Sequence, residues 1–516
     1  MHQTVREFFR PNGPTAQSKF HMNSNDTHMR ISIICVQYLA LCAAKTAAID
    51  QAAGSTPWAS EHFETYAHYL SGRPFLNYVL RYVERHLQEC GQVAGHSELI
   101  SQLHKKLYES PAGHIFENWI PQAWGQGVAG REQPGNSTNF RAELLHAAVR
   151  MKYSQVVEAL LIAGAEVEAR LNGKTTLMVT AESGDLATAR LLLDRGALVG
   201  AKDSDNQTAL HLAAINGHDP LVGLLLDRGA SKEANNSRRR TALHLAAANG
   251  RISVAELLID QGADKEAEDD TEQTAIHLAA GSGHSTLVRV LIDRGADKKA
   301  RNHAKRTALH IAAANGHIEV AELLINLGAD KKAKDGWKQT ALHLAAANGH
   351  IPVAELLIDQ GADKEAEDKV GRRALHLAAA NGHHDTIRLL VDRGANKKAK
   401  DILGWGALHT AAWNGHIATI QTLVQGIGTS KEERDKCGWT ALHVAAMNGH
   451  DAASRWLIEH LGVDKEAKDD IGWTALHFVA AIGLVDVAEL LINTFDVNRD
   501  SRNKEGQTAQ ELAQKQ

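Results

Sequence analysis

Histidine is the residue type in this chain with the most chemical potential, and it recurs at nearly fixed spacing. His211, His244, His277, His310, His343, His376, His409, His443 and His477 are separated by six intervals of 33 residues and then two of 34. An imidazole can serve as general base, proton shuttle or metal ligand. Each task needs one site with its own surroundings, whereas these nine sit in near-copies of A-L-H-x-A-A. The repetition reads as nine copies of a structural part. A second set, His218, His284, His317, His350, His383, His416 and His450, follows a turn glycine and reads the same way. With neither H-E-x-x-H nor a paired C-x-x-C, metal binding has no support. Asn172-Gly173-Lys174-Thr175 resembles the end of a phosphate-binding loop, but G-x-x-x-x-G-K-[ST] requires Gly where Glu168 stands. The sequence therefore predicts no catalytic residue, no metal, no cofactor and no small-molecule substrate, hence no enzyme.

The elements that carry these histidines can be read from one clean copy, RTALHIAAANGHIEVAELLINLGADKKAK, which begins at Arg306. Thr307 is placed to cap a first helix through its hydroxyl. Leu309 and Ile311 supply apolar surface, and Ala312 and Ala313 let helices approach closely. Asn315-Gly316 ends the helix, since both residue types tolerate the left-handed conformation of a tight turn. Val320, Ala321, Leu323, Leu324 and Ile325 form the apolar side of a second helix, which Gly328 stops. The cap position recurs as Thr175, Thr208, Thr241, Thr274, Thr307, Thr340, Arg373, Gly406, Thr440, Thr474 and Thr508. A degenerate unit, ELLHAAVRMKYSQVVEALLIAGA, precedes them.

This unit resembles the ankyrin repeat, whose period is about 33 residues and whose signature is T-P-L-H-x-A. Ala209, Ala242 and Ala308 stand here in place of the signature Pro. The resemblance implies an all-α solenoid of helix-turn-helix units with short β-hairpin fingers. It implies a protein-binding scaffold, and it casts the repeated His as a hydrogen-bonding organiser between units. About eleven repeats and a terminal half repeat are expected over residues 141–516, where Gln510 and Glu511 suit a polar end cap.

Upstream, residues 1–28 read as a flexible N-terminus, 29–126 as a small helical domain and 127–140 as a Gly/Pro linker. In PFLNYVLRYVERHL, Phe75, Val79, Tyr82, Val83 and Leu87 recur at helical spacing. Together with HMRISIICVQYLAL this segment resembles the helical region that joins a NACHT NTPase to an ankyrin array in fungal signalling proteins. That resemblance implies a sensor arm, and the alternative function is the truncated regulatory portion of such an NTPase protein. Ile31–Ala44 is too short for a membrane span. Four scattered cysteines argue against a disulfide framework and for a reducing compartment, cytoplasm or nucleus. A net charge of -5 gives no basis for a nucleic-acid partner, and acids flank the lysines between Lys298 and Lys334.

The connectors are charged in a patterned way. Glu266 and Glu268 correspond to Lys299 and Arg301, then Lys332 and Lys334, Glu365 and Glu367, Lys398 and Lys400. Neighbouring connectors should thus often face opposite charge, which would set solubility and register. In each finger, the residues three and one before the cap position should share a side. Three before, Asp205, Arg238, Thr271 and Ala304 give way to Trp337, Val370, Leu403, Cys437 and Ile471, and finally to Glu505. One before, Gln207, Arg240, Gln273, Arg306, Gln339 and Arg372 give way to Trp405, Trp439 and Trp473. On the first helix, four residues after the His, Trp413 and Met447 replace smaller residues. The ankyrin resemblance puts these positions on the concave groove that meets partners. Trp337, Leu403, Trp405, Trp413, Trp439, Met447, Ile471 and Trp473 are therefore the candidate protein-binding residues, with packing of the Trp against the finger base as the competing account. Late fingers carry Gly two before the cap position, whereas early ones carry Arg239, Glu272, Lys305 and Lys338, so the early fingers are expected to be distorted.

Overall fold

Each repeat begins where a backbone N–H meets the side chain three residues ahead, and in this computed structural model the same geometry recurs along the array. The structure describes residues 165–514 and, between 145 and 161, only scattered positions. The expected helical domain and linker at 29–140 lie outside the described residues. By their contacts the residues fall into two units, one up to 179 with 194–196, the other 180–193 with 197–516.

In the second unit, first helices run Ala209–Asn216, Ala242–Ala248, Ala275–Gly281, Ala308–Asn315, Ala341–Ala347, Ala374–Ala380, Ala407–Trp413, Ala441–Met447 and Ala475–Ile482. Their central alanines, such as Ala312 and Ala313, are fully buried, because only a methyl group fits where one first helix stacks on the next. The turn glycine takes the left-handed conformation, as Gly316 does at φ 80°. The Asn before a turn glycine stays right-handed, unlike the expectation for Asn-Gly. In most repeats its amide donates back to the helix, as Asn249 does to the Leu245 carbonyl at 2.8 Å.

Second helices such as Ile318–Asn326 bury one stripe, here Val320, Ala321, Leu323, Leu324 and Ile325. Full burial of one such Val or Leu is worth about 1.5–3 kcal/mol, so each repeat gains its stability from this stripe and from its two neighbours. The 34-residue repeats place their extra residue in the second helix. Two of these end in π-helical turns, Thr422–Gly426 and Leu490–Thr494, and the third extends over Asp451–Leu461. A single inserted residue is accommodated by one wider turn without disturbing the stack.

The fingers are tight turns. Strand pairing among the described residues occurs only in the first unit, between Arg170–Leu171 and Lys174–Thr175. Elsewhere an Asp or Asn closes the loop, as Asp335 Oδ1 does by accepting the Trp337 and Gln339 amides at 2.8 and 2.9 Å. The early fingers are not distorted. Arg239, Glu272, Lys305 and Lys338 adopt φ of 55–60°, close to the 75–82° of Gly371, Gly404, Gly438, Gly472 and Gly506. The Asx hydrogen bonds and the contact between successive fingers hold a non-Gly residue there against its own preference.

Candidate functional site

The repeated histidines lie at the third position of each first helix and are buried. His310 Nδ1 accepts the Thr307 N–H at 3.2 Å, which requires an unprotonated Nδ1 and places the proton on Nε2. Nε2–H then donates forward to the next repeat, to the carbonyls of Ala333 at 3.0 Å and Gln339 at 3.2 Å. His211, His244, His277, His343, His376, His409, His443 and His477 make the equivalent forward bond. Burial lowers the pKa of all nine below the usual value for histidine, so each is neutral near pH 7.

Other residues in the same column show which half of the role is general. Glu511 accepts the Thr508 N–H through Oε2 at 2.8 Å, and in the first unit Met178 does so for Thr175 through sulfur at 3.4 Å. Any acceptor can cap the helix, but only histidine adds a donor for the next repeat. His146, in the degenerate unit, is a further member, donating from Nε2 to the Ala169 carbonyl at 3.0 Å. Its L-L-H-A-A context was the available signal.

The second histidine set links backward. His317 Nε2 meets the carbonyl of Gly281 at 2.9 Å, at the end of the preceding first helix. His218, His284, His350, His383, His416 and His450 do the same one repeat back. Arg251 substitutes for the imidazole by donating Nε–H to the Ile215 carbonyl at 2.9 Å. Each ring lies against the preceding turn glycine, so a Cβ on Gly349 would come within 2.5 Å of His383.

The eight candidate binding residues divide by environment. Trp337, Leu403 and Ile471 are 62%, 55% and 56% exposed at finger tips, and Trp413 is 39% exposed. Trp405, Trp439, Trp473 and Met447 are half-buried. The Trp405 indole N–H donates to Asp435 Oδ2 of the next finger at 2.9 Å, and Trp439 does so to Asp469 at 3.1 Å. In earlier repeats Arg240 and Arg306 make this bond, to Asp269 at 3.0 Å and Asp335 at 3.1 Å. The tryptophans thus take over a guanidinium's bond between neighbouring fingers. Trp405 also contacts Trp413, with ring centroids 5.2 Å apart, and Phe478 lies between Trp439 and Trp473 at 5.2 and 5.0 Å. Phe478 was missed because it occupies a column of mostly Leu, Ile and Val. The aromatic there was its only signal.

The Gly-Lys-Thr stretch starts in the hairpin's two-residue turn, where Asn172 and Gly173 have φ of 52° and 78°, and continues as its second strand, Lys174–Thr175. The connector charges find backbone partners. Glu266 accepts the Asp297 amide at 2.8 Å, and Arg301 donates to the Lys334 carbonyl at 2.8 Å. A carboxylate at the first of these positions and a guanidinium at the second each reach a main-chain group of the next repeat. Among the described residues there is no group of three metal-ligating side chains, and no helix is long and apolar enough to cross a membrane.

A family model for ankyrin repeats, taken three copies at a time, matches residues 144–236, 177–269, 243–335, 299–368, 328–401 and 408–501. No curated protein matches the sequence. The matches span well over half of the chain, which belongs to the ankyrin-repeat family.

Proposed function

We propose that this chain is a non-catalytic scaffold that binds a protein partner through its later repeats, in the groove between fingers and first helices. The observation that carries the reading is the cluster of large apolar side chains left exposed there, Trp337, Leu403, Ile471 and Trp413. Scattered exposed apolar residues are ordinary, whereas several in one stretch of a repeat array form a patch of the kind proteins use to bind each other. The half-buried Trp405 and Trp439 support this surface from below through their bonds to the next finger. The histidines act as structural links between neighbouring repeats, forward in nine and backward in seven. A reducing compartment, cytoplasm or nucleus, suits the exposed thiol of Cys437.

The test compares Trp337→Ala with Leu403→Ala and Trp413→Ala, as a triple variant, against Arg238→Ala with Thr271→Ala in early fingers. Proximity labelling in cells identifies partners, and the hits are then measured as purified proteins. Aromatic anchors at an interface centre commonly cost 2 kcal/mol or more, about thirtyfold in affinity. The late triple should lose that much with helical content unchanged, and the early pair little. Equal binding by the late triple and the unaltered chain would refute the reading.

A further inference from the structure

The exposed apolar tips are interleaved with cations, and the carboxylates that would neutralise them are engaged elsewhere. Four successive fingers are joined by main-chain bonds: Lys369 N–H to the Trp337 carbonyl at 3.0 Å, Ile402 to Val370 at 3.2 Å, and Lys436 to Leu403 at 3.2 Å. This ladder makes Trp337, Val370, Ile402 and Leu403 one continuous apolar ridge, and all four are exposed. Lys338, Lys369 and Lys436 lie along the same tips, with the Lys369 ammonium 5.3 Å from the Trp337 ring centre.

Each of these fingers also contains one aspartate, Asp335, Asp368, Asp401 or Asp435. In every case its Oδ1 is turned back to accept two amides of its own loop. Of the connector acids beside these fingers, Glu365 and Glu367 are both paired with Arg373, at 2.8 and 3.1 Å, Glu433 lies 3.9 Å from the Lys400 ammonium, and Glu432 accepts the Asp464 amide at 2.8 Å. The tips from finger 335–339 to finger 435–439 therefore present lysine and apolar side chains and no acid. Asp270 and Glu272 bound the stripe two fingers before it, and Asp470 bounds it after.

We propose that the partner segment received by this ridge is acidic as well as apolar, an extended stretch of protein that alternates carboxylates with large hydrophobic side chains. This rests on the protein-binding reading above and adds the charge class. Apolar contacts with the ridge would supply most of the affinity, while the lysines would select sign and speed association. The array as a whole carries net negative charge, so the cationic stripe is local and would discriminate between segments sharing the same apolar pattern.

The experiment uses the full chain and fluorescein-labelled synthetic peptides read by anisotropy. One peptide alternates Glu with Leu and Phe, a second has Lys for every Glu, and a third has Ser for every Leu and Phe. A Lys338→Glu, Lys369→Glu double variant and a Trp337→Ala, Leu403→Ala double variant are measured beside the unaltered chain, with circular dichroism as the folding control. The expected result is that the acidic-apolar peptide binds at least about tenfold tighter than the other two, and loses about tenfold to either variant. Raising salt should weaken its binding to the unaltered chain more than to the lysine variant. If the lysine peptide binds equally well and only the Trp337 and Leu403 variant weakens it, the charge assignment is overturned and the apolar interface stands. If no peptide responds to either variant, both fall. Single-stranded DNA, or vesicles of phosphatidylserine, binding more tightly than the acidic-apolar peptide and losing affinity to the lysine variant would overturn the proposal in favour of a polyanion surface.

Discussion

Replacing His310 with Ala removes one acceptor and one donor at the junction of two repeats. The Thr307 N–H loses its partner and the Ala333 carbonyl loses its donor, while the Gln339 carbonyl keeps the Asp335 N–H at 2.8 Å. Two hydrogen bonds at about 1 kcal/mol net each, plus the cost of orphaned buried backbone groups, put the loss at about 2–4 kcal/mol. His310→Gln provides an internal comparison, because its carbonyl can still cap the helix as the Glu511 carboxylate does. That variant should recover about 1 kcal/mol of the loss. Urea unfolding followed by circular dichroism measures the total, and hydrogen exchange localises it to the repeats on either side of His310, since a linear array can open in parts. Acid supplies a second check with a definite sign. Burial holds the His310 pKa below its ordinary 6.5, so the folded chain keeps the ring neutral while the unfolded chain takes up a proton. The stability that His310 contributes is complete above about pH 6.5 and falls below it, by up to roughly 1.4 kcal/mol per pH unit, until the folded pKa is reached. The unaltered chain and His310→Ala should therefore converge in stability on acidification. A loss below about 0.5 kcal/mol at pH 7.5, or a gap that widens as pH falls, would refute the account.

Lys305→Gly should stabilise the array by about 0.5–1 kcal/mol in thermal or urea unfolding, because Lys305 holds φ 58° where glycine meets no Cβ penalty. Gly406→Thr, which restores the consensus cap residue, should instead destabilise by about 1–3 kcal/mol, since a Cβ there comes within 2.9 Å of the Glu433 carboxylate. Adding Glu433→Ala should relieve most of that loss in a double-mutant cycle of the same unfolding experiment, and additive effects would disprove the coupling.

The sequence by itself determined much of what is decided within one repeat: the period, the start of the first helix, the left-handed glycine, and the apolar stripe of the second helix. These depend on hydrogen bonds and side-chain contacts three to five residues apart, and a pattern copied nine times states them plainly. It could not show what each column meets in the next repeat. Trp405 and Trp413 looked alike as candidates, yet the first is half-buried with its N–H on Asp435 and the second is exposed. Connector charges looked set to face one another, but side chains of both signs reach main-chain groups. The early fingers lacked glycine and still form the same turn, held by an Asx pair and the preceding finger. Gly406 departed from the cap consensus for a reason visible only 27 positions on, where Glu433 replaces the usual alanine and fills the space left by the missing side chain. Only the stacked structure decides such matters, because packing joins residues about one period apart, and the backbone between them carries no local signal of what it will meet.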